Sequence, residues 1–132
     1  IDDPNYWVND FLLYLLTDIY FDKAEALMRK NNGIASQDAV DLINQCKQRA
    51  FKPEDWAKEK YTTTSLTMDE LLAERGREFI FEGKRRTDLI RFGKFTTATW
   101  WDHQPSSAKY KLFPVPFKQM SINPNLVQNP GY

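Results

Sequence analysis

The sequence holds one cysteine, one histidine and no surplus of either charge, and each shortage removes a class of function. Cys46 can form no internal disulfide and has no metal-ligand spacing around it. Its neighbours Leu42, Ile43 and Ala50 lie three or four residues away on one helical face, the setting of a small buried thiol. His103 has no second histidine or paired carboxylates at ligand spacing, so no metal centre and no cofactor are expected. There is no Gly-x-Ser-x-Gly, no Cys/His arrangement and no glycine-rich phosphate loop, so no catalytic residue is assigned. The 18 basic and 18 acidic residues cancel. Binding to nucleic acid or anionic lipid needs a basic surplus, so neither partner is expected. The apolar run from Phe11 to Leu16 is too short for a bilayer, which takes about 18 residues or more. The chain begins at Ile1 without an initiator methionine or a charged-then-apolar leader. It therefore reads as part of a longer polypeptide whose targeting signal lies upstream.

What is present is enough for one modest domain: 132 residues, 42% hydrophobic and 14% aromatic. Residues 1–10 carry Pro4 and two asparagines and should be irregular. Leu12, Leu15, Leu16, Ile19, Tyr20, Ala24 and Leu27 fall at helical spacing, predicting a helix from Phe11 to about Met28. Thr17–Asp18 would be the opening if the first residues are extended. Asn31–Asn32–Gly33 supplies a stop and a turn. Ser36 can cap a second helix that runs to about Arg49 or Phe51, with Ala39, Leu42, Ile43, Cys46 and Ala50 on its apolar face. Pro53 closes it, and residues 54–65 read as a loop with room for a helical turn near Trp56.

Thr67 followed by Glu70 forms a capping box that opens a third helix. That helix should carry Leu71, Leu72, Arg75, Glu78, Phe79 and Glu82 as far as Gly83. A fourth runs from Arg85 to Phe92 and stops at Gly93. Five of the seven prolines follow, at positions 105, 114, 116, 124 and 130, and proline cannot donate to a helix or a central strand. The expected fold is all-α. Two tetratricopeptide-like helical hairpins, 11–51 and 67–95, precede an irregular proline-rich strap, 96–132. Residues 17–51 have the length of one such unit, although a second copy at that period is weak.

Three segments carry a family resemblance. TDIYFDKAEALMRKNNG with the following AVDLINQCKQRA, LLAERGREFIFEGKRRTDLIRFGKF, and KLFPVPFKQMSINPNLVQNPGY together resemble the C-terminal portion of SusD/RagB-type outer-membrane nutrient-binding lipoproteins. The match departs at Lys84 and at Arg86–Thr87, where local packing should differ. The resemblance implies a segment of a longer chain that acts mainly as helical scaffold. It also implies glycan or oligosaccharide ligands (peptide is possible), a TonB-dependent, SusC-like outer-membrane transporter as partner, and contact with the remainder of its own chain upstream. The location implied is the cell surface at the outer membrane, through a lipid anchor in an upstream region. The main ligand-binding residues would then lie upstream as well.

The second segment places Glu74, Arg75, Arg77, Glu78, Glu82, Arg85, Arg86, Asp88 and Arg91 in dense alternation of charge. Glu78 and Glu82 could be read as a glycosidase pair, but carboxylates at i and i+4 point the same way and cannot easily flank a sugar. Arginines beside them would hold them ionised. The cluster, with Glu74, Arg75, Glu78, Glu82, Arg85, Asp88 and Arg91 as its main members, is therefore expected to be an ion-pair network joining the third and fourth helices, with Gly83 as a left-handed cap between them. The loop ATWWDHQPSS supplies the candidate ligand-binding residues Trp100, Trp101 and His103, because two adjacent tryptophans can hardly both be buried on one face. A loop tryptophan can also cover its own core, and that alternative stays open. Trp7 with Tyr6 is a second candidate. The rival reading is a free-standing tetratricopeptide-like adaptor for protein partners, against which the strap would block the concave groove.

Overall fold

The computed structural model describes residues 13–132. The expected irregular start, the opening of the first helix at Phe11 and the Tyr6–Trp7 pair lie outside the described residues. The described residues form six α-helices and no strand. The chain divides into two compact units, residues 1–73 and 74–132.

In the first unit, α1 (Leu16–Lys30) and α2 (Gln37–Lys47) pack against each other. The buried face of α1 is Phe21, Ala24, Glu25 and Met28, while Leu16 and Ile19 are exposed. The apolar stripe is thus rotated from the one expected on Ile19 and Leu27. Glu25 is kept at the buried edge by Arg29, whose Nε donates to it at 2.8 Å. Arg29 and Lys30 stand in the last turn, where positive charge suits the helix dipole. The Gly33 N–H closes the helix by donating to Met28 O at 2.8 Å. Ser36 caps α2 as expected, its hydroxyl accepting from Ala39 N at 3.3 Å. Ala39, Val40, Ile43 and Cys46 are buried, whereas Ala50 is exposed in a 3-10 turn, Gln48–Ala50. Burying side chains such as Phe21, Met28 and Ile43 contributes about 1.5–3 kcal/mol each.

Pro53 opens a helix rather than only ending one. α3 (Pro53–Glu59) has proline in its first turn, where the missing N–H costs nothing, and Glu54 and Asp55 beside it. α4 (Met68–Glu78) begins at the expected capping box, but only half of the box forms. Glu70 N donates to Thr67 Oγ1 at 3.1 Å, while the Glu70 carboxylate accepts from the Tyr61 hydroxyl at 2.7 Å. Leu66, Leu71 and Leu72 complete the core of this unit.

The unit boundary falls inside α4. That helix ends at Glu78, four residues before the expected Glu82, because the chain turns at Phe81, which sits at φ 64. Gly83 follows at φ 72, the left-handed position that glycine adopts without strain. α5 (Arg85–Arg91) then stops before Gly93 at φ 73. The stretch expected to be irregular contains a 3-10 turn, Ala108–Lys111, and a short helix, α6 (Phe117–Ile122). α6 starts directly after Pro116, beyond the reach of proline's missing donor.

Candidate functional site

The charged cluster of the second unit centres on Asp88. That residue is 1% exposed, and Arg75, 3% exposed, places Nε 3.0 Å from Asp88 Oδ2. That N–H is not aligned for a hydrogen bond, so the contact is an ion pair by distance. Arg91 Nη2 donates to Asp88 Oδ1 at 2.8 Å. Asp88 on α5 therefore holds Arg75 on α4 and Arg91 one turn along its own helix. Glu74 is buried and accepts from Arg77 Nε at 2.8 Å. Glu78 is half-buried at the end of α4. Glu82 lies beyond that helix, with Oε2 buried and without a hydrogen-bond partner. Arg85 is exposed at the start of α5, and its Nη1 lies 3.0 Å from where a Cβ on Gly76 would stand.

The end of the chain is ordered by side chains that read backbone. Gln128 Oε1 accepts from Val115 N at 2.7 Å and from Asn129 N at 2.9 Å, while its Nε2 donates to Val115 O at 3.0 Å. Asn129 Nδ2 donates to Phe113 O at 2.6 Å, and the Tyr132 hydroxyl donates to Leu112 O at 2.9 Å. Gly131 at φ 91 passes close to Lys109, whose Cβ would lie 3.1 Å from an added Cβ. Arg86 holds the other side of the same segment. Its Nη2 donates to Tyr110 O at 2.9 Å and to Lys111 O at 3.1 Å, and its guanidinium lies 4.4 Å from the Phe113 ring centre. Arg86 falls where the motif departs from its usual residues. Nothing in the sequence pointed to its role.

The loop singled out for ligand contact is a tight turn. Trp100 and His103 exchange backbone hydrogen bonds, with His103 N donating to Trp100 O at 2.7 Å and Trp100 N donating to His103 O at 3.3 Å. Their rings stack with centroids 3.9 Å apart and planes 5° from parallel. His103 Nδ1 lies 3.0 Å from Ala98 O, and since a carbonyl only accepts, Nδ1 carries the donating proton. Trp101 at the tip sits at φ 43 and is 99% exposed, whereas Trp100 is 40% exposed. Trp101 therefore does not cover the core of the described residues.

A cleft of about 550 Å³ in the first unit, lined by Lys47, Lys58, Tyr61, Thr62, Ser65 and Glu70 among others, had no signal in the sequence. Asn44 fixes its wall by accepting from Tyr61 N at 2.8 Å and donating to Tyr61 O at 2.9 Å. Lys47 Nζ lies 4.2 Å from the Tyr61 ring centre and donates to Glu59 O at 2.7 Å. Among the described residues there is no group of three His, Cys, Asp or Glu that could hold a metal ion, and no helix is long and apolar enough to cross a membrane.

Comparison with known proteins adds two findings. The model of the SusD family matches residues 3–132. The starch-binding protein SusD of Bacteroides thetaiotaomicron is 34% identical over 140 aligned residues, covering 100% of this chain. The chain spans about a quarter of that relative's length, 23%.

Proposed function

This chain belongs to the SusD family, and on that premise we propose that it is the helical scaffold portion of a cell-surface protein that captures glycans and passes them to a TonB-dependent outer-membrane transporter. The observation that carries this reading is the similarity along the whole chain to a protein named for starch binding. In this reading α1–α2 and α4–α5 are tetratricopeptide-like hairpins, and the segment from residue 96 onward is a proline-rich strap. The protein is held at the outer membrane by a lipid anchor upstream of these residues, and most ligand contacts come from that upstream part. Trp100, Trp101 and His103 form the contact surface contributed here. Glu74, Arg75, Glu78, Glu82, Arg85, Asp88 and Arg91 form a structural brace.

The protein acts by binding, not by turnover. Buried carboxylates support that view, since Glu74 and Asp88 face arginines at ion-pair distance and are not free for acid-base work. The test uses the full-length protein and a panel of polysaccharides and oligopeptides. Binding without release of product sugars, together with co-purification of a transporter, is the expected result. Release of reducing sugars would replace the reading with a hydrolase. Binding only to other proteins would replace it with an adaptor.

A further inference from the structure

Asn32–Gly33 is the chain's one Asn–Gly pair, and it stands at the turn between α1 and α2. Asparagine is thermolabile because the backbone nitrogen of the next residue, once deprotonated, can attack its side-chain Cγ and expel ammonia. Glycine at that next position puts no side chain in the way and lets the backbone bend toward the attack. Asn123 and Asn129 precede prolines, which carry no N–H, so they cannot react by this route.

The turn presents the reacting pair and restrains it at once. Asn32 is exposed at φ 54, and Gly33 follows at φ 84. The Gly33 N–H, however, donates to Met28 O at 2.8 Å, the bond that closes α1. Across the same turn Asn31 Nδ2 donates to Ile34 O at 3.0 Å. A proton held by a carbonyl is hard to remove, and the bond pins the peptide unit that must swing for the ring to close. Reaction therefore waits on local opening of the helix end.

We propose that Asn32 is a spontaneous deamidation site gated by the α1 cap, and that its isoaspartate product keeps the α1–α2 hairpin open. In the open turn, base removes the Gly33 proton, the nitrogen bonds to Asn32 Cγ, and the Cγ–amide bond breaks to release ammonia. Water then opens the cyclic imide. Cleavage at Cγ gives aspartate, and cleavage at the main-chain carbonyl gives isoaspartate. Aspartate visits the left-handed region as asparagine does, and its charge falls near Arg29 and Lys30. Isoaspartate adds a methylene to the main chain between Met28 O and Gly33 N. The cap then cannot re-form in register, and the path to buried Ala35 is displaced. None of this depends on what the protein binds.

The experiment follows full-length protein through incubation at mildly alkaline pH, natively and in urea. Peptide mapping by mass spectrometry reads conversion at residue 32, and enzymatic methylation of isoaspartate reads the branched product. Conversion in urea should be about tenfold faster or more, the margin set by the cost of opening the cap. Asn31→Ala, which removes the bond to Ile34 O, should speed native conversion and leave the rate in urea little changed. Asn32→Asp should melt close to the unaltered protein, and the isoaspartate-bearing fraction several degrees lower. Equal rates in the two conditions overturn the gate. So does an unchanged native rate in Asn31→Ala, which would place the protection in the rest of the chain. Absence of conversion in urea overturns the site. An isoaspartate fraction that melts with fresh protein overturns the effect on the hairpin. Asn32→Asp melting as low as that fraction does the same, since charge and not the lengthened backbone would then be the cause.

Discussion

Removing the Asp88 carboxylate should be among the most damaging single changes in the second unit. Asp88→Ala leaves Arg75 as a buried cation, with side chain 4% exposed, facing the space its counter-charge filled. Breaking a buried pair from one side costs about 3–5 kcal/mol, because the surviving buried charge loses its counter-charge. That is a large share of the roughly 5–15 kcal/mol by which domains are stable. Arg91→Ala removes the other contact to the same carboxylate, but the Arg91 side chain is 39% exposed, so its loss should cost less than about 1 kcal/mol. Replacing both buried partners, Arg75→Met with Asp88→Leu, should cost far less than Asp88→Ala alone, because no charge is stranded. Urea unfolding followed by circular dichroism, with one slope shared among variants, reads all three. An Asp88→Ala midpoint matching that of Arg91→Ala would refute the reasoning. It would mean that water reaches Arg75 in the protein and that the brace has no buried centre.

Arg86→Ala removes two hydrogen bonds to strap carbonyls and the cation over Phe113, and should cost about 2–3 kcal/mol. Limited proteolysis should then cut first between residues 105 and 115. Gln128→Glu keeps the acceptor toward Val115 N but sets a carboxylate oxygen against Val115 O. A loss of about 1–3 kcal/mol in chemical denaturation is expected, and none from Gln119→Glu as a control on the exposed side of α6. Gly76→Ala should raise stability by up to about 1 kcal/mol through helix propensity. The added methyl meets only the far end of the Arg85 side chain, which can move, and a lower melting temperature would show that guanidinium to be pinned.

Much of the helical layout is legible in the sequence, and the reasons are local. Ser36 before an apolar run, Thr67 at the head of α4 and Gly93 at the end of α5 each meet a fixed need of a helix terminus, so residue type alone marks them. α3 shows in the sequence only as a loop with room for a helical turn near Trp56, because seven residues are too few to display a period and its opening proline reads equally well as a stop. The overrun of α4 to Glu82 came from Phe81. A phenylalanine in the left-handed region is uncommon enough that no propensity anticipates it. The charge alternation marked Arg75, Asp88 and Arg91 but could not rank them, since burial separates Asp88 from Arg85 and burial is a property of packing. In the turn, the paired tryptophans drew attention. Only geometry divides them into one ring that stacks on His103 and one left bare.

The clasp at the end of the chain has a consequence for which positions can vary. Gln128, Asn129 and Tyr132 bond to main-chain atoms of Leu112, Phe113 and Val115, and every amino acid but proline supplies those groups. The contacted stretch can therefore drift in sequence while the lock still closes, as long as position 115 keeps an N–H. The three residues forming the lock have no such latitude, because their own side chains are the key.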